Sequence, residues 1–213
     1  MNVKKIWTTP DGDKLIAQLA RVSNPANQDN HETAPKLINY LIRHKHWSPF
    51  EMVSACVEIE TTRDIGRQIL RHRSFSFQEF SQRYAEVTDP FVNREARLVG
   101  ATNRQSSVEL ETSHGDLLSW WDEALLALGA HAGELYDEAL KRGIAPECAR
   151  VVLPEGLTPT RMYMVGSLRS WIHYWGARVT PETQKEHRLV AEATAEVILR
   201  EFPMLKEALA TGQ

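Results

Sequence analysis

Apolar residues change their spacing several times along this chain, and each change marks a boundary. In GDKLIAQLARVS (12–23) and ETAPKLINYLIRHKHW (32–47) they recur every three or four positions. That spacing predicts two amphipathic helices, the second stopping before SPF. The next segment, MVSACVEIETT (52–62), alternates: Val53, Ala55, Val57 and Ile59 share one side, Ser54, Cys56, Glu58 and Glu60 the other. Period two is the mark of a half-buried strand. In TTRDIGRQILRHR (61–73) the helical spacing returns, with Ile65 and Ile69 one turn apart.

Residues 87–113 mix polarity with turn formers. They predict a long excursion folded as a hairpin, the kind of loop that often serves as a lid or binding element. A long helix is expected from Ser113 as N-cap to Gly143 as terminator. Its stripe of Leu117, Trp121, Leu125, Leu128, Ala132, Leu135 and Ala139 is core or a subunit interface. APECARVVLP (145–154) predicts a short helix opened by Pro146. TPTRMYMVGSLRSWIHYWGAR (158–178) reads as a strand bending into a helix near Gly166 or Ser167, and 180–202 as a final helix with Thr180 as cap and Pro181 first. Helices and a few strands without βαβ alternation predict an α+β fold. The expectation is a single domain over 1–213, its central, mainly antiparallel sheet flanked by long helices.

Composition narrows the function classes. At 213 residues, with 42% hydrophobic and 25% charged residues, the chain has the make-up of one globular domain. A net charge of −3 argues against general affinity for nucleic acid or anionic membranes. The start has no secretory apolar stretch, and the longest helix-like apolar run, 124–130, is far short of the ~18 residues a membrane span needs. A cytoplasmic protein with two reduced thiols, Cys56 and Cys148, is expected. His44 and His46 form the closest His pair but lack carboxylate or Cys companions, so no metal is expected.

Against that acidic background, LRHRSFSFQEFSQRY (70–84) concentrates Arg71, Arg73 and Arg83 around Phe75, Phe77 and Phe80. Arg63, Arg67 and Arg71 also fall at i, i+4 and i+8. Such like charges repel by a few tenths of a kcal/mol per pair, while a helix C-terminus favours Arg by ~0.3–1 kcal/mol. Helix electrostatics, with Glu58, Glu60 and Asp64 as neutralisers, therefore explain this segment about as well as a ligand does. The planar Arg fork and the Ser81 hydroxyl nevertheless suit phosphate. Basic residues among aromatics also occur in single-strand nucleic-acid sites, but no second basic stripe extends the patch.

RHRSFSFQEFS places Arg71, His72, Arg73 and Ser81 in the pattern Arg-His-Arg, seven residues, Ser, and so resembles the signature of the flavin-dependent thymidylate synthases. HWSPFE (46–51), RQILRHR (67–73), ECARVVLP (147–154) and GSLRSWIHYWGAR (166–178) resemble further segments of that family, in order. The resemblance implies reductive methylation of dUMP to dTMP. Methylenetetrahydrofolate would give the carbon and FAD, reduced by NADPH, the hydride. It also implies a homotetramer whose active sites are shared between subunits.

Residue by residue, the resemblance puts Ser81, Arg83 and Arg150 at the dUMP phosphate, with Gln68, Ile69, Leu70, Arg71, Glu79, Phe80 and Gln82 as further dUMP positions. Arg178 matches the position that ionises uracil N3, and is the catalytic candidate. Cofactor positions are His46, Ser48, Glu51, Arg71, His72, Arg73, Glu79, Ser167, Leu168, Arg169 and His173. Two departures stand out: Ser167-Leu168-Arg169 where many members have Asn-Ala-Arg, and Glu182 where some place a flavin-contacting His. Glu182 is left out of the site. Cys56, on a strand beside Glu58 and Glu60, and Cys148, in an Ala/Val helix, do not look like the activated thiol of the unrelated folate-dependent synthase. The competing expectations are a single-stranded nucleic-acid-binding module and a non-catalytic flavoprotein.

Overall fold

The alternation at 52–62 becomes a central strand. In the computed structural model, which describes residues 1–101, 103 and 106–211, the chain runs β1 (Asn2–Thr8), α1 (Gly12–Ala20), α2 (Ala34–Arg43), β2 (Ser54–Thr62), α3 (Arg63–Ile69), β3 (Ser76–Glu79), β4 (Arg97–Val99), β5 (Ser107–Glu109), α4 (Gly115–Lys141), α5 (Pro146–Ala149), β6 (Pro159–Ser167), α6 (Leu168–Arg178), α7 (Lys185–Leu199) and α8 (Pro203–Thr211). The main sheet has the order β1-β2-β6-β3, with every pair antiparallel.

Its register explains the core. Ala55 faces Gly166, Val57 faces Met164 and Ile59 faces Met162, so two apolar rows meet on one side of the sheet. Trp171, Tyr174, Val190, Ile198 and Phe202, each at most 1% exposed, cover that side from α6, α7 and the turn before α8. Burying each such side chain stabilises the fold by about 1.5–3 kcal/mol. The opposite side carries Glu58, Glu60 and Tyr163, with Lys4 3.6 Å from Glu58. The α+β expectation therefore holds: the central sheet is antiparallel and helices flank it.

Several boundaries move. The edge strand β1 is mostly exposed and bulged between Lys5 and Trp7, so it carries little alternation to read. The helix predicted through 73 ends at Ile69 and turns back, with His72 N–H bonding Ile69 O at 3.0 Å. Helix α4 starts at Gly115, after a 3-10 turn over Thr112–His114, so His114 rather than Ser113 stands at the cap. Gly143 does close it, at φ +84°, where a side chain would be strained. The final stretch splits. Thr180 to Thr183 is a turn, α7 begins only at Lys185, and α8 follows as a separate helix.

Helix α4 stands away from the sheet over a second small core of Tyr136, Ala149 and Leu153, packed with Val87 and Phe91. Its buried positions are Leu125, Gly129, Ala132 and Tyr136; Leu117, Leu128 and Leu135 of the predicted stripe are exposed. The excursion is a hairpin as expected, β4 pairing β5 with Arg97 opposite Glu109. Among the described residues no helix is long and apolar enough to cross a membrane.

Candidate active site

The β6–α6 junction builds the first part of the site. At Gly166 a Cβ would lie 2.5 Å from Phe75 Cδ1, so only glycine lets the strand turn against that ring. Ser167 then caps α6, its Oγ accepting the Ser170 N–H at 3.3 Å. The same hydroxyl donates to Glu51 at 2.5 Å, and Arg169 Nη1 donates to the other Glu51 oxygen at 2.7 Å. The Ser167 bond, then that of Arg169, holds the Glu51 carboxyl below its ordinary range against the opposing effect of burial. His173 meets Trp47 edge-on at 5.1 Å, and Trp47 sits between the exposed His46 and Ser48. Leu168 does not offer its side chain to a ligand. It is fully buried and gives its N–H to Val53 O at 2.7 Å.

One turn further along α6 lie Tyr174 and Arg178. Arg178 Nε donates to His72 Nε2 at 2.9 Å. A guanidinium is always protonated, so His72 Nε2 must accept and the imidazole proton sits on Nδ1. Burial first, then the Arg178 charge, pushes the His72 pKa down. The His72 ring meets Tyr174 edge-on at 4.8 Å. Beneath them His187, fully buried, lies 3.2 Å from both Tyr174 Oη and Gln68 Oε1. Burial, then Arg178 and His72, lowers His187 to about 4. Gln68 in turn donates to Gln184 at 2.7 Å, and Gln184 to Glu186 at 2.9 Å. Burial alone would raise Glu186, but bonds from Arg97 and from its own N–H, with that of Gln184, hold it at about 2.

The three arginines expected on one helix face separate. Arg63 is buried with Nη1 3.5 Å from Glu79, Arg67 pairs Glu155 at 2.9 Å, and Arg71 lies exposed past the helix end. Glu79 also accepts from Thr160 at 2.9 Å, so its partners are Arg63 and Thr160 rather than Arg73 or Arg83. Ser81 Oγ accepts the Arg83 N–H at 3.4 Å, and Arg83 lies 3.5 Å from Glu147, three residues before Arg150. The Ser81, Arg83 and Arg150 segments are thus linked through Glu147. Gln82 is 4% exposed and its Nε2 has no acceptor among the described residues. Ile69 is wholly core and Leu70 packs against that core, so neither side chain is presented at the surface as the arginines are.

A cleft of about 890 Å³ opens between segment 86–95, the ends of β2 and β6 and the start of α7. Of the predicted site residues only Phe80 lines it. The candidate arginines lie elsewhere, Arg71 and Arg73 exposed and Arg150 and Arg178 half-buried. Arg71, Arg73, Arg150 and Arg178 have no carboxylate within 4.0 Å among the described residues, a state they share with Arg21, Arg43 and Arg161, whereas Arg67, Arg83, Arg94, Arg97 and Arg169 each have at least one. Anionic ligands would satisfy this uncompensated set, and the donor chemistry fits a phosphate and a flavin pyrophosphate. No group of three His, Cys, Asp or Glu suited to a metal occurs among the described residues. Burial, rather than the neighbouring carboxylates, raises the Cys56 thiol. Sequence reading missed Tyr174, Gln184, Glu186 and His187; polar residues at helical spacing gave no signal that these would share one hydrogen-bonded chain running inward to buried His187.

An antiparallel α+β scaffold that leaves Arg71, Arg73, Arg150 and Arg178 without carboxylates, the last bonded to His72, carries the donor set of proteins that hold phosphate-bearing ligands. Residues 6–204 match the family described as thymidylate synthase complementing protein, and the chain belongs to that family. It is 49% identical over 197 residues to the probable flavin-dependent thymidylate synthase of Paramecium bursaria Chlorella virus 1, covering 92% of this chain and 90% of that protein. It is also 49% identical over 201 residues to the flavin-dependent thymidylate synthase of Synechocystis sp., covering 94% and 90%. Among solved structures, the UMP/dUMP methylase PolB from Streptomyces cacaoi bound with 5-Br UMP superposes with TM-score 0.85 at 28% identity, covering 99% of this chain and 94% of that one.

Proposed function

We infer that this chain is a flavin-dependent thymidylate synthase, a methyltransferase that converts dUMP to dTMP. The observation that carries the reading is that the arginines at the family's ligand positions, Arg71, Arg73, Arg150 and Arg178, stand without carboxylates, with Arg178 bonded to neutral His72. Residues 1–213 act as one catalytic domain, with FAD as cofactor and methylenetetrahydrofolate and NADPH as co-substrates. Reduced flavin supplies the hydride when bound.

The chain's own residues do the rest. Ser81, Arg83 and Arg150 hold the dUMP phosphate; Arg83 exchanges its exposed Glu147 contact for the dianion, a small loss because exposed pairs contribute only about 0–1 kcal/mol. Arg178 is oriented through its Nε bond to His72, leaving its other N–H groups to face the uracil imide. There a fixed cation stabilises the charge that builds as N3 ionises and C5 becomes nucleophilic. Neutral His72 can orient this cation without adding a competing charge. Arg71, Arg73, Ser48 and the Ser167–Arg169–His173 patch hold FAD, with His46 and Glu51 at the border of its ring. The openness of these surfaces within one chain supports a homotetramer that closes each site with residues from neighbouring subunits. The reading places the enzyme in the cytoplasm.

The test is anaerobic reduction of the flavin-loaded protein by NADPH, then addition of dUMP and methylenetetrahydrofolate. The expected product is dTMP, with dUMP perturbing the flavin absorbance. Colourless protein that binds oligonucleotides in a salt-sensitive way would favour the nucleic-acid module instead.

A further inference from the structure

The partly buried polar chain beneath Arg178 has a direction, and a carboxylate sets it. Glu186 is held ionised by Arg97, with N–O distances of 2.7 and 2.9 Å, so it can only accept. Gln184 must therefore turn its NH₂ to Glu186 and its carbonyl to Gln68. Gln68 must then give its NH₂ to Gln184 and its carbonyl to His187 Nδ1. That leaves Nδ1 as the protonated nitrogen and Nε2 as acceptor for the Tyr174 hydroxyl. Each bond permits one polarity only, given its neighbour.

We propose that His187 is a positioning residue: it ties Gln68 into this one-way chain anchored at Glu186, so that Gln68 offers its amide donor and acceptor to the nucleotide in one fixed order. The inference rests on the dUMP reading of Gln68 above. A free glutamine amide can flip, exchanging donor for acceptor at each position; here a flip would set NH₂ against the His187 N–H and carbonyl against carbonyl at Gln184. Gln68 keeps one amide N–H and one carbonyl lone pair beyond those the chain uses. Their placement is thus decided before any ligand arrives, which lowers the ordering cost of binding. Every titratable or charged group that faces His187 agrees with a neutral, singly protonated ring: Tyr174 and Arg178 from α6, and His72 from the turn after α3.

The test has two arms. Nitrogen-15 NMR of the full, ligand-free chain should show His187 as a single Nδ1–H tautomer at pH 7, the form less favoured in free histidine. Glu186→Gln should give a mixture or the Nε2–H form, whereas Tyr174→Phe, at the far end, should leave Nδ1–H in place. An Nε2–H tautomer in the wild type, or no response to Glu186→Gln, overturns the proposal. In the second arm His187→Leu should raise the dUMP Kd roughly 3- to 10-fold, the loss of one orienting hydrogen bond. KM for dUMP should rise with it while kcat stays within about 2-fold, and flavin binding should be kept. An unchanged dUMP Kd in a folded His187→Leu protein also overturns it. Failure of the wild type to bind dUMP would count against the proposed function, and with it the nucleotide half of this inference. The tautomer arm would still judge the relay separately.

Discussion

Arg178 and His187 show how one residue's environment decides its chemistry. Among the described residues Arg178 has no carboxylate within 4.0 Å, and its Nε is held by His72. Arg178→Gln should therefore lower dTMP formation by about 10²–10³-fold, as loss of a preorganised charge stabiliser does, with flavin content unchanged. The same variant should raise the His72 pKa in an NMR titration, because one of the two influences that depress it is gone. His187 predicts acid sensitivity. The unfolded chain binds a proton on it below its ordinary 6.5, whereas the folded chain does so only near 4. Stability from this site is therefore full above pH 6.5 and falls by roughly 3 kcal/mol as the pH drops to 4. Glu186 acts lower: its contribution is full above 4.5 and lost as the pH falls towards 2. Urea melts should show the wild type weakening from pH 6.5 to 4, and His187→Leu weakening less over that window.

At the scale of elements, short helices are fixed by partners far away in sequence. Helix α8 has its N-terminus capped from α1: Asp13 accepts the N–H groups of Met204 and Leu205 at 2.7 and 3.3 Å. Gly12 beside it makes room, since a Cβ there would lie 2.3 Å from the Phe202 ring. Asp13→Ala should cost about 1–2 kcal/mol of unfolding free energy in urea, in line with other caps, and Asp13→Asn less. The cap was invisible in sequence because it joins residues more than 190 positions apart. The same holds for α3, whose apolar period ran on past Ile69 while the chain turned to place His72 beneath Arg178. By contrast β2 and the β6–α6 bend were legible, because their alternating or switching patterns are set by local burial on one sheet face.

For the whole molecule, the exposed apolar side chains of α4 bear on assembly. Leu117, Trp120, Leu128 and Leu135 are 37–59% exposed and share one stripe of a helix whose neighbouring face holds the second core. Exposed apolar side chains in such a stripe are suited to the subunit contacts of the proposed homotetramer. Sedimentation of the wild type should report a mass about four times the 24.2 kDa chain. Trp120→Glu with Leu128→Glu should shift it to smaller species while leaving the fold intact by circular dichroism.

The sequence by itself determined the α+β class, the central strand, the strand-to-helix turn at Ser167 and the residues of the Arg-His-Arg segment, because those follow from local periodicity and from side-chain types at fixed spacing. Only the tertiary structure decided which arginines are neutralised and which stay free. It also decided that Glu79 answers to Arg63, and that Glu186 polarises a partly buried chain reaching His187. The physical reason is that charge compensation and hydrogen-bond polarity depend on distances of a few ångströms between residues far apart in the chain, and no local pattern encodes those distances.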